Sequence, residues 1–262
     1  MYLALTGKLD DQVCITFDDG LKSQYDVARP ELEARDLAAF FFIYTSHLVG
    51  SPERLEVYRK FRTTKFETVG DFYDEFITRV AVIFPELMTT RSMAPSHTYL
   101  HEHAFYTVAD RIFRFIRDKL LTQEQYTCLM DSWIESEVGD FNKFVSGLWV
   151  DADNIRSLAS AGHVIGLHAH NHPTTLVGFE QYTEYYTNRE ILRGVIGYEP
   201  TTASYPSDLF NFETHRVMGR LNVLLGFRAK PTHTGTCLLQ LPREDCADLC
   251  TSPSSQATNR DI

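Results

Sequence analysis

Long apolar runs are missing from this 262-residue chain. No stretch approaches the roughly 20 consecutive apolar residues that a membrane-spanning helix needs. The start, MYLALTGKLDD, lacks a charged segment followed by the apolar core of an export signal, so the sequence reads as a cytoplasmic chain without a transmembrane segment. Positive charge is also scarce, with 25 Lys and Arg against 35 Asp and Glu and a net charge of −10. That balance argues against a nucleic-acid partner or an anionic membrane surface, each of which needs a basic face. Cysteine is sparse and scattered: Cys14, Cys128, Cys237, Cys246 and Cys250 form no CxxC pair, which excludes a disulfide framework. The small polar tail TSPSSQATNRDI, 251–262, has too little apolar material to pack and is expected to be disordered.

What is present is enough for one large core, since 44% of residues are hydrophobic. QVCITF reads as a buried strand, SQYDVARPELEARD as a helix around Pro30 and AAFFFI as a second strand. Strand, crossover helix and strand usually form parallel sheet. From about 51 to 146 helical patterns dominate, as in DFYDEFITRVAVIF and EQYTCLMDSWIESE, and this segment reads as an insertion. Alternation resumes with DADNIRSLASAG, the strand HVIGLH, the helix QYTEYYTNREILRGVIG, the strand TTASY and a helix near NFETHRVMGRL. VLLGF and CLLQL read as two further strands. The expected fold is α/β, either a barrel or an open sheet, in one domain over 1–250. Both architectures place sites beyond the carboxyl ends of strands.

Two strand ends carry chemistry. CITFDDGLKSQYD sets Asp18 beside Asp19 at the end of an apolar run, followed at once by Gly20. Alone, Asp-Asp-Gly is ordinary turn chemistry. GLHAHNHPTTL places His168, His170 and His172 directly after the strand HVIG. A single histidine is usually structural, but His168 and His172, four residues apart on a turning loop, can offer two imidazole nitrogens to a divalent metal. A carboxylate would be the third ligand, and water would fill an open position. HTYLHEH in the insertion, with His97, His101 and His103, offers a second such cluster, although surface histidines account for it more simply. Trp133 reads as core, while Trp149 suits either core packing or stacking on a sugar ring.

TFDDG at 16–20 and HAHNHP at 168–173 resemble the first two motifs of the polysaccharide deacetylase family, the NodB homology domain of carbohydrate esterase family four. ASYPSDLFN, 203–211, is similar to the YPYG-style loop of branches that lack the usual motif arginine. There Tyr205 and Pro206 match, while Ser207 and Asp208 replace an aromatic residue and a glycine. LQLPRED, 239–245, is similar to the closing strand of branches associated with surface-sugar biosynthesis. The resemblance runs from about Gln12 to Pro242 around the insertion.

The resemblance implies a distorted (β/α) barrel of the NodB type with a helical insertion. It implies Asp19, His168 and His172 as metal ligands, Asp18 as general base, and Tyr205, Pro206 and Ser207 at the substrate, with a backbone N–H near Ser207 on the oxyanion. The cofactor would be a divalent metal, zinc foremost, with nickel, cobalt and iron also compatible. The reaction would be hydrolysis of an N-acetyl group on an amino sugar in a glycan, a lipid-linked saccharide or a sugar-nucleotide precursor, giving acetate and a free amine.

One departure stands out: the family's late-strand histidine, its general acid, has no counterpart in CLLQLPRED. His233 in KPTHTGT is the nearest substitute, with His170 or an insertion residue as alternatives. Two other functions stay open, namely a deacylase or amidohydrolase of a small non-sugar amide, and a catalytically degenerate, metal-containing carbohydrate-binding protein. The sequence carries no indication of oligomeric state.

Overall fold

The computed structural model describes residues 13–51, 53–101, 106–173, 178–230 and 237–246. It divides into two compact units: Met1–Glu53 with Gly147–Ile262, and Arg54–Ser146.

The first unit is built on five strands, β1 (Ile15–Phe17), β2 (Ala39–Ile43), β3 (Val164–Leu167), β4 (Thr202–Ser204) and β5 (Leu225–Phe227). They pair in sequence order and every pairing is parallel. The result is a curled half-barrel sheet whose crossovers are helical, including Ala152–Ser160, Gly178–Ile196 and Phe212–Arg220. β2 to β5 are buried along almost their whole length, as expected for a parallel sheet covered on both faces.

Alternation along β2 sorts the faces. Phe41 and Ile43 join Ile165, Leu167 and Ala203 in the core cluster that also holds helix residues Ile155, Leu158, Leu192 and Val217. Phe42 turns the other way, to Leu225 and Phe227. Gly166 makes room for it, because a Cβ there would lie 2.5 Å from the Phe42 ring.

One expected strand is absent. CLLQL is apolar because Leu239 and Leu241 each pack against a core cluster, yet its backbone turns, with Gln240 N–H donating to the Cys237 carbonyl at 2.9 Å. A single bridge joins Leu241 to Phe227. The tail 251–262 and Cys250 lie outside the described residues. Cys14, Cys128, Cys237 and Cys246 are exposed free thiols.

The second unit is helical, as the insertion's periodicity predicts. Its principal helices are Arg54–Thr64, Val69–Ile83, Val108–Phe115 and Gln123–Val138. Thr68, Thr107 and Thr122 each form a capping box, which fixes where the last three begin. Phe61, Phe72, Phe76, Phe113 and Trp133 form an aromatic core, with Trp133 stacked on Phe72 at 5.4 Å. Among the described residues, no helix is long and apolar enough to cross a membrane.

Candidate active site

The candidate site lies at the carboxyl ends of β1, β3 and β4, where the backbone is least relaxed. Five of the eight described non-glycine residues with positive φ are Asp19, Ala169, His172, Ser207 and Asp208, all in the loops following those strands. Such conformations cost free energy and persist only where surrounding contacts enforce them. Gly20 continues the turn of Asp19 at φ 64, and a Cβ there would lie 2.9 Å from Ile43. The segment after the helical unit is stitched to this turn: Lys22 N–H donates to the Leu148 carbonyl at 2.9 Å and Val150 N–H to that of Gly20 at 3.0 Å. Trp149 is thereby held beside Tyr44 and stacked on His47 at 5.5 Å.

The turn aims Asp19 at two imidazoles. Its Oδ1 lies 3.3 Å from His168 Nε2 and 3.2 Å from His172 Nε2. Burial opposes ionisation, but the hydrogen bonds and charges of His168 and His172 hold Asp19 far below the usual carboxylate range. Burial likewise works against a charged His168, whereas the Asp18 charge and the Asp19 hydrogen bond push its pKa up. His168 Nδ1 meets the Ser204 carbonyl at 3.0 Å; a carbonyl only accepts, so Nδ1 carries the proton and the Nε2 edge faces Asp19.

The loops that carry the histidines are pinned from behind. His168 N–H donates to Asn188 Oδ1 at 3.0 Å, and the Asn188 amide donates to the Ile43 carbonyl at 2.8 Å and to Thr45 Oγ1 at 3.1 Å. Glu184 on the same helix accepts from the backbone N–H of His170 and of Asn171, at 2.9 and 2.7 Å. That carboxylate holds the turn that delivers His172.

These three residues fit a divalent cation. One donor atom from each of Asp19, His168 and His172 lies within 4.8 Å of the others, and no other such group of three occurs among the described residues. Among the described residues, the buried Asp19 Oδ1 meets no polar partner besides these two imidazoles. Two imidazole nitrogens and a carboxylate oxygen suit zinc and its neighbours among the transition metals.

Asp18 has different surroundings. Arg243 grips it in a bidentate pair, Nη1 to Oδ1 at 2.8 Å and Nη2 to Oδ2 at 2.7 Å, and Ser204 Oγ donates to Oδ2 at 3.1 Å. Arg243 is itself aimed by the Arg228 carbonyl on Nε at 2.9 Å and by Thr16 Oγ1 on Nη1 at 3.2 Å. Burial favours the neutral acid, but the His168 charge and the Arg243 bonds hold the Asp18 carboxyl below its ordinary range. An ionised carboxylate has about four lone-pair sites, so these three bonds leave one for a further proton.

Other candidates fall elsewhere. Tyr205 and Pro206 are buried, and the Tyr205 hydroxyl donates to the Leu239 carbonyl at 2.7 Å, so of the proposed substrate loop only Ser207 is exposed. His233 lies outside the described residues, as does His103. His170 Nδ1 meets Thr45 Oγ1 at 2.9 Å, and His47 Nε2 meets the Val150 carbonyl at 3.1 Å. His101 is exposed on its own turn, with Nδ1 2.9 Å from the Thr98 carbonyl.

The family model for polysaccharide deacetylases matches residues 121–225. No curated protein sequence matches the chain. Among solved structures, the deacetylase PplD from Streptococcus pyogenes, in complex with acetate, is similar at a TM-score of 0.52 and 15% identity, over 92% of this chain and 68% of that one. The BpsB deacetylase domain from Bordetella bronchiseptica gives 0.47 at 13% identity, over 87% and 68%. The chain thus carries a polysaccharide deacetylase match across HAHNHP on a NodB-type (β/α) barrel fold, which bears out the resemblance, while TFDDG lies outside the matched residues.

Proposed function

We propose that this chain, with its polysaccharide deacetylase match, is a metal-dependent hydrolase that removes N-acetyl groups from an amino sugar in a saccharide. The observation that carries the proposal is the convergence of His168 and His172 on Asp19, beside an Asp18 that Arg243 keeps ionised. Asp19, His168 and His172 would hold the cation. When bound, a divalent metal supplies Lewis acidity toward an amide oxygen and lowers the pKa of water.

The chain's own groups do the rest. Asp18 accepts the proton of the attacking water at its remaining lone-pair site, and Arg243 and Ser204 fix its orientation. A backbone N–H in the exposed turn at Ser207 donates to the developing oxyanion. The leaving amine takes a proton from a histidine, for which His233 is the proposed donor.

A second reading, a metal-holding carbohydrate-binding protein without turnover, is favoured by one observation: Tyr205 and Pro206 are spent on the core, so they leave the substrate loop little ring surface. Acetate release by zinc-, nickel-, cobalt- or iron-loaded protein separates the readings. The proposal expects release from N-acetylated oligosaccharides or sugar nucleotides in preference to simple acetamides. Folded, metal-loaded protein that binds these sugars and releases nothing would establish the binding reading instead.

A further inference from the structure

The helical unit gathers positive charge that its own fold leaves partly unneutralised. Arg59, Arg62, Arg114 and Arg117 line one cavity of about 60 Å³, and no carboxylate lines it among the described residues. Arg59 and Arg62 lie three apart on the helix Arg54–Thr64, a spacing that places both on one face. Arg114 lies in the last turn of the helix Val108–Phe115 and Arg117 in the turn that follows, Ile116–Leu120, again three apart. Two arginine pairs from separate helices therefore meet at the same small space.

Their partners do not account for all four. Arg59 pairs with Glu56, and Arg117 Nε with Asp118 at 2.6 Å. Arg62 and Arg114 have no close ion pair among the described residues, Asp110 acting on Arg114 only at longer range, and the Nε of each is buried without a hydrogen-bond partner. The Arg114 guanidinium lies 4.1 Å from the Tyr106 ring centroid, which occupies its face and not the in-plane Nε–H. Clustered guanidinium groups repel one another, and the more strongly the less water separates them.

The floor of the cavity is aromatic, with Phe72, Phe113 and Tyr126 all buried. Burial pushes the Tyr126 phenol up to about 12 against the pull of Arg117, Arg62 and Arg114, so it stays an O–H donor. The volume corresponds to about four to six water-sized spheres, which suits a compact oxyanion and not a polymer. We propose that this cavity binds a phosphoryl group carried by a small molecule. Planar guanidinium forks recognise phosphate oxygens in bidentate fashion, and paired arginines on two helices can engage it from two sides.

The same phosphoryl chemistry can reach the cavity on a soluble sugar phosphate or on a phospholipid headgroup. The test uses the full chain in chelator, so that anion binding at an Asp19–His168–His172 metal contributes nothing. Calorimetry with pyrophosphate and a hexose 1-phosphate is run beside co-sedimentation with phosphatidylglycerol vesicles. Binding in either arm that weakens at least tenfold in Arg62→Gln/Arg114→Gln, and less in Arg62→Lys/Arg114→Lys, supports the proposal, and the responding arm identifies the source. If the double variant does not fold, Arg59→Gln, whose side chain is exposed, is expected to weaken binding severalfold. Absence of binding in both arms, or affinity unchanged in every variant that folds, overturns it.

Discussion

Asp18 and Asp19 are chain neighbours that the fold assigns to different partners, a guanidinium for one and two imidazoles for the other. On the proposed mechanism Arg243 is a positioning residue, because the one reacting group it touches is the base, Asp18. Arg243→Ala is expected to lower kcat about 10²-fold, within the roughly 10²–10⁴-fold range of general-base catalysis. Metal content should stay unchanged, and Arg243→Lys should recover part of the loss; a lowered metal content would instead place Arg243 in the structural support of the ligands. Two histidines away from the Asp18 pair, buried His163 and half-buried His47, tie stability to pH. Burial pushes His163 down, and it pushes His47 down to about 4. His163 Nδ1 accepts from Ala39 N–H at 3.2 Å, a bond that protonation removes. A histidine whose folded pKa lies below its unfolded value of about 6.5 contributes stability above that value. The contribution is lost as pH falls toward the folded pKa. Urea unfolding at pH 7.5 and pH 5 should therefore show a smaller acid loss in His163→Asn, which keeps an acceptor without a titrating ring, than in the parent chain. Equal losses would contradict this account of His163.

The strands were legible because each is a short apolar run bounded by turn residues, and β1 to β5 fall where QVCITF, AAFFFI, HVIGLH, TTASY and VLLGF indicate. CLLQL misleads for a physical reason: core packing alone makes a segment apolar, whether or not its hydrogen bonds form a ladder. Tyr205 was readable as a motif match, but its burial depends on the Gly226 backbone opposite it. A Cβ at Gly226 would lie 2.3 Å from the Tyr205 hydroxyl and 2.8 Å from the Leu239 carbonyl. Gly226→Ala is expected to destabilise the first unit by about 1–3 kcal/mol through overpacking, read as a lower urea midpoint. An unchanged midpoint would show that this edge of the sheet is soft. Arg243 could not be read from the sequence, because its contact with Asp18 spans 225 residues and leaves no local spacing. An arginine set among LQLP and two acids after the last strand was the one available hint. Asn188 was equally hidden, as one polar residue in a long helix whose amide is spent inside the molecule on Ile43 and Thr45.

At the scale of the molecule, a half-barrel unit carries the Asp–His cluster, and a helical unit with its own aromatic core carries the arginine cavity. A cation bound only by the folded first unit stabilises it by mass action, about 2.7 kcal/mol at a hundredfold excess over Kd. Thermal unfolding should therefore shift upward on adding zinc, and Asp19→Asn should abolish the shift. A shift of equal size in that variant would place the metal elsewhere. The central claim is that two adjacent carboxylates divide the work, Asp19 holding the cation and Asp18 moving the proton. Its most direct test is to measure metal content and acetate release on the same samples of Asp18→Asn and Asp19→Asn, with an N-acetylated saccharide as substrate. The account predicts that Asp18→Asn keeps its metal and loses turnover, while Asp19→Asn loses both. Full turnover in Asp18→Asn, or full metal occupancy in Asp19→Asn, would contradict it.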